Sequence, residues 1–167
     1  MRKLLPIGLA LISLLASCGG DDPALNGSQG SGGGDHGMDV GDESLAFGEP
    51  GDQAKADRTI EISALDSLEF DSDSVDVKSG ETVTFAVTNE GENVHEFVLG
   101  DESYQEDHAA EMSAGEDMGM GPNEIEIEPG ETKSLTWSFT EADTVLYGCH
   151  EPGHYQGGMA GTVDVGS

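Results

Sequence analysis

The chain has 167 residues, which suits one domain of ordinary size, and its 34 acidic residues against 6 basic ones give a formal net charge of -28 at pH 7. This negative charge excludes nucleic acid as a natural partner, because a phosphate backbone would be repelled. The acidic residues are spread along the whole chain, which favours a solvated surface suited to high salt over a docking patch for a basic redox partner.

Residues 1–18 have the pattern of a secretion signal. Arg2 and Lys3 precede an apolar run at 4–15, which is too short for a membrane span, and the sequence Leu-Ala-Ser-Cys follows and ends at Cys18. This ending resembles the lipobox of bacterial lipoproteins, in which cleavage leaves a lipidated cysteine. We therefore expect an exported protein, lipid-anchored through Cys18 to a membrane and facing the periplasm or the cell exterior. The alternative is an uncleaved anchor with an incidental cysteine.

The chain has two cysteines, Cys18 and Cys149. If Cys18 carries lipid, Cys149 cannot form an intramolecular disulfide. A lone thiol outside the cytoplasm is exposed to oxidation unless it is buried or bound. Cys149 therefore needs a partner.

Residues 19–57 are rich in glycine, serine and aspartate and show no apolar periodicity. This composition predicts a flexible tether between the lipid and a folded domain at 58–167. His36 and Met38 lie in the tether, where they are interpreted as incidental, with weak metal binding as the alternative.

From Arg58 onward, short apolar runs alternate with period two and are separated by turn signals such as Pro129-Gly130. The runs are TIEISAL at 59–65, VDV at 75–77, TVTFAVTN at 82–89, NVHEFVL at 93–99, IEIE at 125–128, SLTWSF at 134–139, TVLYGC at 144–149 and GTVDV at 161–165. Many short alternating strands without a convincing long helix predict an all-β fold, a two-sheet antiparallel sandwich of about 100 residues.

Residues 101–123 interrupt this pattern as a long polar insertion loop, with a short helix predicted around His108 to Met112. On a helix these two residues would share one face, and Met118 and Met120 follow nearby. Because thioethers are good Cu(I) ligands, His108, Met112, Met118 and Met120 are candidates for a secondary Cu(I) site. The alternative is a mobile acidic loop with incidental methionines.

Cys149, His154 and Met159 are spaced Cys-x4-His-x4-Met near the end of the chain. A thiolate, an imidazole and a thioether, completed by a second imidazole, have the composition of a blue-copper site. Prolines and glycines in the connecting loop allow it to fold tightly enough to aim the three side chains at one point. His95, in the strand NVHEFVL, is the candidate for the second imidazole, because a sandwich can bring the end of that strand beside the Cys149 loop.

Three segments resemble the cupredoxin family, the relatives of plastocyanin and azurin: RTIEI, GETVTFAVTNEGENVHEFVLG and PGETKSLTWSFTEADTVLYGCHEPGHYQGGMAGTV. The HEF strand and the C-x-x-PGHY-x-x-GM-x-G loop are most similar to bacterial cell-envelope cupredoxins linked with copper tolerance. The resemblance implies a Greek-key β-sandwich with one copper ion bound by His95, Cys149, His154 and Met159. In plastocyanin-like members an asparagine that braces the cysteine loop usually follows the first histidine, whereas this chain has Glu96 there.

These features predict a monomeric type 1 (blue) copper protein, a one-electron carrier tethered to the outer face of a membrane, with a redox partner protein. The alternative is a copper-binding protein for copper tolerance or sequestration that adds the Met/His-rich loop to the same site. Cys149-His150 also echoes the multicopper oxidase signature. However, Gly148 stands where that signature has a further histidine, and 5 histidines are too few for a trinuclear copper centre. An enzyme is therefore not expected, and His150 is predicted to point away from Cys149.

Overall fold

The computed structural model describes residues 45–115, 119–140 and 144–166. The secretion signal, the lipidation site Cys18, the residues His36 and Met38 and the candidate ligand Met118 lie outside the described residues.

Alternating apolar side chains form ten strands within these described ranges, and the strands make two five-stranded sheets. The strands are β1 Gly48–Pro50, β2 Arg58–Leu65, β3 Glu69–Phe70, β4 Ser74–Lys78, β5 Thr82–Asn89, β6 His95–Gly100, β7 Glu124–Ile127, β8 Thr132–Phe139, β9 Thr144–Gly148 and β10 Ala160–Gly166. One sheet has the order β1-β8-β5-β2-β3 and the other has the order β4-β10-β9-β6-β7. The fold is an all-β sandwich, as the sequence predicts.

The core lies between the two sheets and follows the period-two pattern. Val83, Phe85 and Val87 of β5 have no exposed surface, and neither has Tyr147 of β9. Burying each such side chain stabilises the fold by about 1.5–3 kcal/mol. The prediction of an antiparallel sandwich is wrong for two strand pairs, because β2 pairs with β5 and β4 pairs with β10 in parallel. Alternation specifies which face of a strand is buried and carries no information about strand direction.

The predicted insertion loop is instead largely a helix, α1, Glu102–Ala114, which covers the outer face of β6 and β9. Its first turn is capped by the Asp101 side chain, which accepts a hydrogen bond from the Tyr104 backbone at 2.9 Å. Its buried residues are Gln105 and His108, both polar, so apolar periodicity could not reveal its length. Under this helix, every residue of β6 is buried. No helix in the described ranges is long and apolar enough to cross a membrane.

The folded part begins before Arg58, so the predicted tether boundary at residue 57 is wrong. β1 pairs with β8, with Gly48 opposite Phe139, and a 3-10 helix follows at Gln53–Lys55. Phe47 is buried and stacks on Trp137 with the ring centroids 5.4 Å apart. A single aromatic residue among glycines and acids has no periodicity, which is why the sequence pattern assigned this strand to the tether.

Candidate metal centre

Three side chains converge at one end of the sandwich, where the ligand atoms of His95, Cys149 and His154 all lie within 4.8 Å of one another. The Cys149 sulfur lies 3.3 Å from Nδ1 of His154 and 3.9 Å from Nδ1 of His95. The two imidazole rings are 5.1 Å apart between centroids. One thiol and two imidazoles therefore face a common point, a donor set that suits a soft transition metal.

The fold positions these residues through two neighbouring strands and one short loop. His95 begins β6, and Cys149 directly follows β9, which pairs with β6 through Val98 opposite Gly148. His154 begins a four-residue helix, α2, His154–Gly157.

Backbone hydrogen bonds close the loop that carries Cys149, His154 and Met159. The Cys149 amide donates to the Met159 carbonyl and the Met159 amide donates to the His154 carbonyl, each at 3.1 Å. Gly153 and Gly158 flank α2 with φ of 87° and 106°, a left-handed backbone that only glycine adopts readily. The Met159 side chain is fully buried and belongs to the same apolar cluster as Cys149. The loop is therefore held in one conformation by its own backbone.

The Cys149 thiol is fully buried, and its sulfur accepts a hydrogen bond from the Glu96 backbone amide at 3.2 Å. Burial raises the pKa of Cys149 to about 11, and the hydrogen bond from Glu96 opposes this shift only in part. At neutral pH the thiolate in this pocket therefore needs a cation beside it. A bound metal ion satisfies that need, so the residues fit a metal centre.

The Asp66 carboxylate lies beside the His95 ring, although no sequence pattern singles it out. Nε2 of His95 lies 3.4 Å from the Asp66 carboxylate, a contact that is not a hydrogen bond, and this atom has no hydrogen-bond partner among the described residues. The Glu92 backbone amide and the Asn93 side chain donate to the same carboxylate and lower the pKa of Asp66, which keeps it ionised. Burial and the neighbouring His154 lower the pKa of His95. Nδ1 of His95 faces the Cys149 sulfur, and the carboxylate beside Nε2 favours the neutral ring with its proton on Nε2 and its lone pair on Nδ1.

Aromatic side chains seal the core side of the centre. Phe97 and Tyr147 lie two residues from His95 and Cys149 on the same faces of their strands, and their rings stack with centroids 5.1 Å apart. Phe70 packs edge-on against both. Of the three convergent residues, His95 and Cys149 are fully buried and His154 is half-buried. Solvent therefore meets the centre at His154.

Glu96 braces the cysteine loop from the outer face of the sheet. Its buried carboxylate accepts a hydrogen bond from the His150 backbone amide at 3.2 Å. Burial, with help from Glu151, raises the pKa of Glu96 to about 7. Glu96 thus contacts the Cys149 loop from the position that an asparagine usually occupies in plastocyanin-like proteins.

The remaining candidate residues lie apart from this centre. As predicted, His150 points away from Cys149, and it is buried under α1, where its Nε2 lies 2.6 Å from the Gln105 side-chain oxygen. His108 and Met112 are both on α1, and His108 is buried with Nδ1 3.3 Å from Glu124. Met120 is 54% exposed and lies outside the helix.

Comparison with known proteins identifies the metal. Residues 56–166 match the model of the copper-binding proteins of the plastocyanin/azurin family. A copper-resistant cuproprotein CopI from Pseudomonas aeruginosa is 32% identical over 194 aligned positions, which span 98% of this chain and 97% of the relative. The CopI of Rubrivivax gelatinosus is 39% identical over 125 positions, which span 74% of this chain and 76% of that protein.

Among solved structures, dithionite-reduced auracyanin from Roseiflexus castenholzii superposes with a TM-score of 0.59 at 26% identity, covering 67% of this chain and 99% of auracyanin. The segment 56–166, which matches the family model, includes His95, Cys149 and His154 of the convergent centre. Copper is the cofactor that this donor set and these relatives have in common, and the chain belongs to the plastocyanin/azurin family of copper-binding proteins, the cupredoxins.

Proposed function

We propose that His95, Cys149, His154 and Met159 hold one copper ion in a type 1 site and that the protein exchanges single electrons through it. The observation that carries this proposal is the convergence of the Cys149 sulfur and two Nδ1 atoms within 4.8 Å in a pocket where Cys149 and His95 have no exposed surface. The buried thioether of Met159, in the same loop, is the fourth ligand that this class of site uses.

The chain prepares this site in three ways. The Glu96 amide stabilises negative charge on the Cys149 sulfur, and the Asp66 carboxylate favours the His95 tautomer whose lone pair faces that sulfur. The backbone bonds of Met159 keep the loop in one conformation. When bound, copper supplies a one-electron couple between Cu(I) and Cu(II). Because the protein groups are already oriented and mostly buried, little of the protein has to move when the charge changes.

The half-buried His154 is the proposed route for electrons between the centre and a redox partner protein. It begins α2 at the protein surface, next to the exposed residues Pro152 and Gly153. An imidazole edge at the surface lets a partner approach the centre while the thiol stays covered. This geometry requires no substrate pocket.

For the cellular role we favour copper tolerance, because two relatives that match 98% and 74% of this chain are named copper-resistant cuproproteins. Export through residues 1–18 and a lipid anchor at Cys18 would place the protein where external copper arrives. A second candidate, electron delivery to a respiratory partner, is favoured by the half-exposed His154 and by the fold shared with auracyanin.

The metal assignment is tested with Cys149→Ser. The variant should lose the intense visible thiolate-to-copper absorption of the oxidised protein, because serine offers no thiolate. Cys18→Ser removes the other cysteine of the chain and should keep the absorption. If the colour persists in Cys149→Ser, the ligand assignment is wrong.

The cellular role is tested by deleting the gene and restoring it as wild type or as Cys149→Ser. A tolerance role predicts that growth fails only in excess copper and that wild type alone restores it. An electron-transport role predicts a respiratory defect without added copper. Normal growth of the deletion strain in excess copper would contradict the favoured role.

A further inference from the structure

A second pair of buried imidazoles lies on the side of the sheet opposite to the Cys149 centre. His150 follows Cys149 directly, but it packs against α1, from which His108 approaches it. His108 and His150 are 8% and 5% exposed, and their ring centroids are 4.8 Å apart at an interplanar angle of 69°. The described centre at Cys149 does not use either ring.

The hydrogen bonds of His150 determine which of its nitrogens carries the proton. The side-chain nitrogen of Gln105 donates to the Val98 carbonyl at 2.8 Å, so its side-chain oxygen is free to accept. That oxygen lies 2.6 Å from Nε2 of His150, which must therefore be the protonated nitrogen. Nδ1 is buried without a hydrogen-bond partner among the described residues and carries a lone pair.

The same reasoning applies to His108, whose Nδ1 lies 3.3 Å from the Glu124 carboxylate. Both oxygens of Glu124 act as acceptors, because they accept hydrogen bonds from the Tyr104 hydroxyl at 2.6 Å and from the Gly121 amide at 3.0 Å. Nδ1 of His108 is therefore the protonated nitrogen. Its Nε2 is buried and has no hydrogen-bond partner in the described part of the chain, and in the neutral ring it carries the second lone pair.

Two buried lone pairs without a donor are unusual in a folded protein, because each unsatisfied polar atom costs about 1–3 kcal/mol. Both rings are also held in place by stacking, His150 on Tyr155 at 4.4 Å and His108 on Tyr104 at 6.3 Å. A cation bound by both nitrogens would remove this cost, and the two rings lie close enough to share one, with centroids 4.8 Å apart.

Met112 adds a thioether to the cavity that His150 lines. It lies one helical turn after His108 on α1 and is half-buried. Together with His150, Pro152 and Gly153 it lines an open cavity of about 410 Å³. The cavity gives an ion a path from solvent, and the thioether makes the ligand set soft.

We propose that Nε2 of His108, Nδ1 of His150 and the Met112 thioether bind a Cu(I) ion under α1, separate from the type 1 site. Two imidazoles and a thioether suit Cu(I), and the carboxylate that would attract a harder ion is already occupied by hydrogen bonds. The proposal keeps two residues of the sequence-based candidate set, His108 and Met112, and replaces the loop methionines by His150. It goes beyond the type 1 site and gives the protein a place for copper as cargo.

The test is an anaerobic titration of the full chain with Cu(I) in competition with a chromogenic Cu(I) chelator. Wild type should bind a Cu(I) ion in addition to the one at the type 1 site. Met112→Leu and His108→Gln should each lower the affinity for this additional ion by at least about tenfold. Loss of a group that only supports a metal ligand already costs 10–100-fold in affinity. Met120→Leu, which changes an exposed methionine outside the helix, should leave it unchanged.

The visible absorption of the oxidised protein separates this proposal from the type 1 assignment. Met112→Leu and His108→Gln should keep the absorption, which also shows that they fold. Cys149→Ser should lose the absorption and still bind Cu(I) at the second site. Adding Met112→Leu to Cys149→Ser should weaken that binding. A single Cu(I) per wild-type chain, or an additional ion unaffected by both Met112→Leu and His108→Gln, would overturn the second site. If Met120→Leu abolishes binding of the additional ion, the proposed ligands of the second site are wrong.

Discussion

The contact between Asp66 and His95 makes a quantitative prediction about the reduction potential. An ionised carboxylate next to Nε2 makes the imidazole a stronger donor, which stabilises Cu(II) more than Cu(I) and lowers the potential. Asp66→Asn keeps the size of the side chain and an oxygen for the turn at 92–93, but it removes the charge 3.4 Å from the ring. The potential of the variant should therefore be higher.

The size of the shift follows from the geometry. Loss of a partner that orients a metal-binding histidine typically costs 10–100-fold in metal affinity. The Asp66 side chain is 38% exposed and the contact is long, so solvent screening puts the effect near the lower end, about tenfold. A tenfold loss that falls on Cu(II) alone raises a one-electron potential by about 59 mV.

The assay is a redox titration followed by the visible absorption of the oxidised protein. Glu92→Gln is the matched control, because it removes one negative charge from the neighbouring turn between β5 and β6, whose Glu92 amide bonds to Asp66, without a contact to His95. A rise in Asp66→Asn no larger than that in Glu92→Gln would show that general charge, rather than the contact with His95, tunes the site. A fall in potential would refute the reasoning outright.

Three further predictions concern the loop, the buried carboxyl and the core. Met159→Leu should keep the visible absorption and raise the potential, because a weak axial thioether tunes the site more than it holds the metal; a colourless variant would contradict this. Burial raises the pKa of Glu96 from 4.5 to about 7, so the folded state binds this proton more tightly and stability falls as pH rises from about 4.5 to 7. In urea unfolding, Glu96→Gln should therefore make the metal-free protein more stable by about 3 kcal/mol at pH 8 and by far less at pH 5. An equal gain in stability at both pH values would be evidence against burial of the charge as the cause. Phe97→Ala should lower the free energy of unfolding by about 3–5 kcal/mol, because the ring is fully buried against Phe70, Phe85 and Tyr147; a loss below 1 kcal/mol would mean that the pocket collapses around the gap.

Local patterns in the sequence were sufficient for much of the fold. The alternation in β5 and β8 predicted the buried faces around Phe85 and Trp137, because side chains of a strand point to opposite faces in turn. The pattern could not reveal the strand at Gly48–Pro50, which is too short for periodicity. It also underestimated α1, because the inward face of that helix is polar and bonds to other polar groups instead of presenting an apolar stripe.

The sequence by itself determined the chemistry of the Cys149 loop, since the spacing of Cys149, His154 and Met159 and the glycines between them are local properties. Only the tertiary structure decided which distant groups reach that loop. Asp66, in the turn between β2 and β3, contacts His95 because two sheets meet at this end of the sandwich, and His108 contacts His150 because α1 folds over the sheet. Such pairings depend on how strands and helices pack across long sequence separations, which no local pattern of residues records.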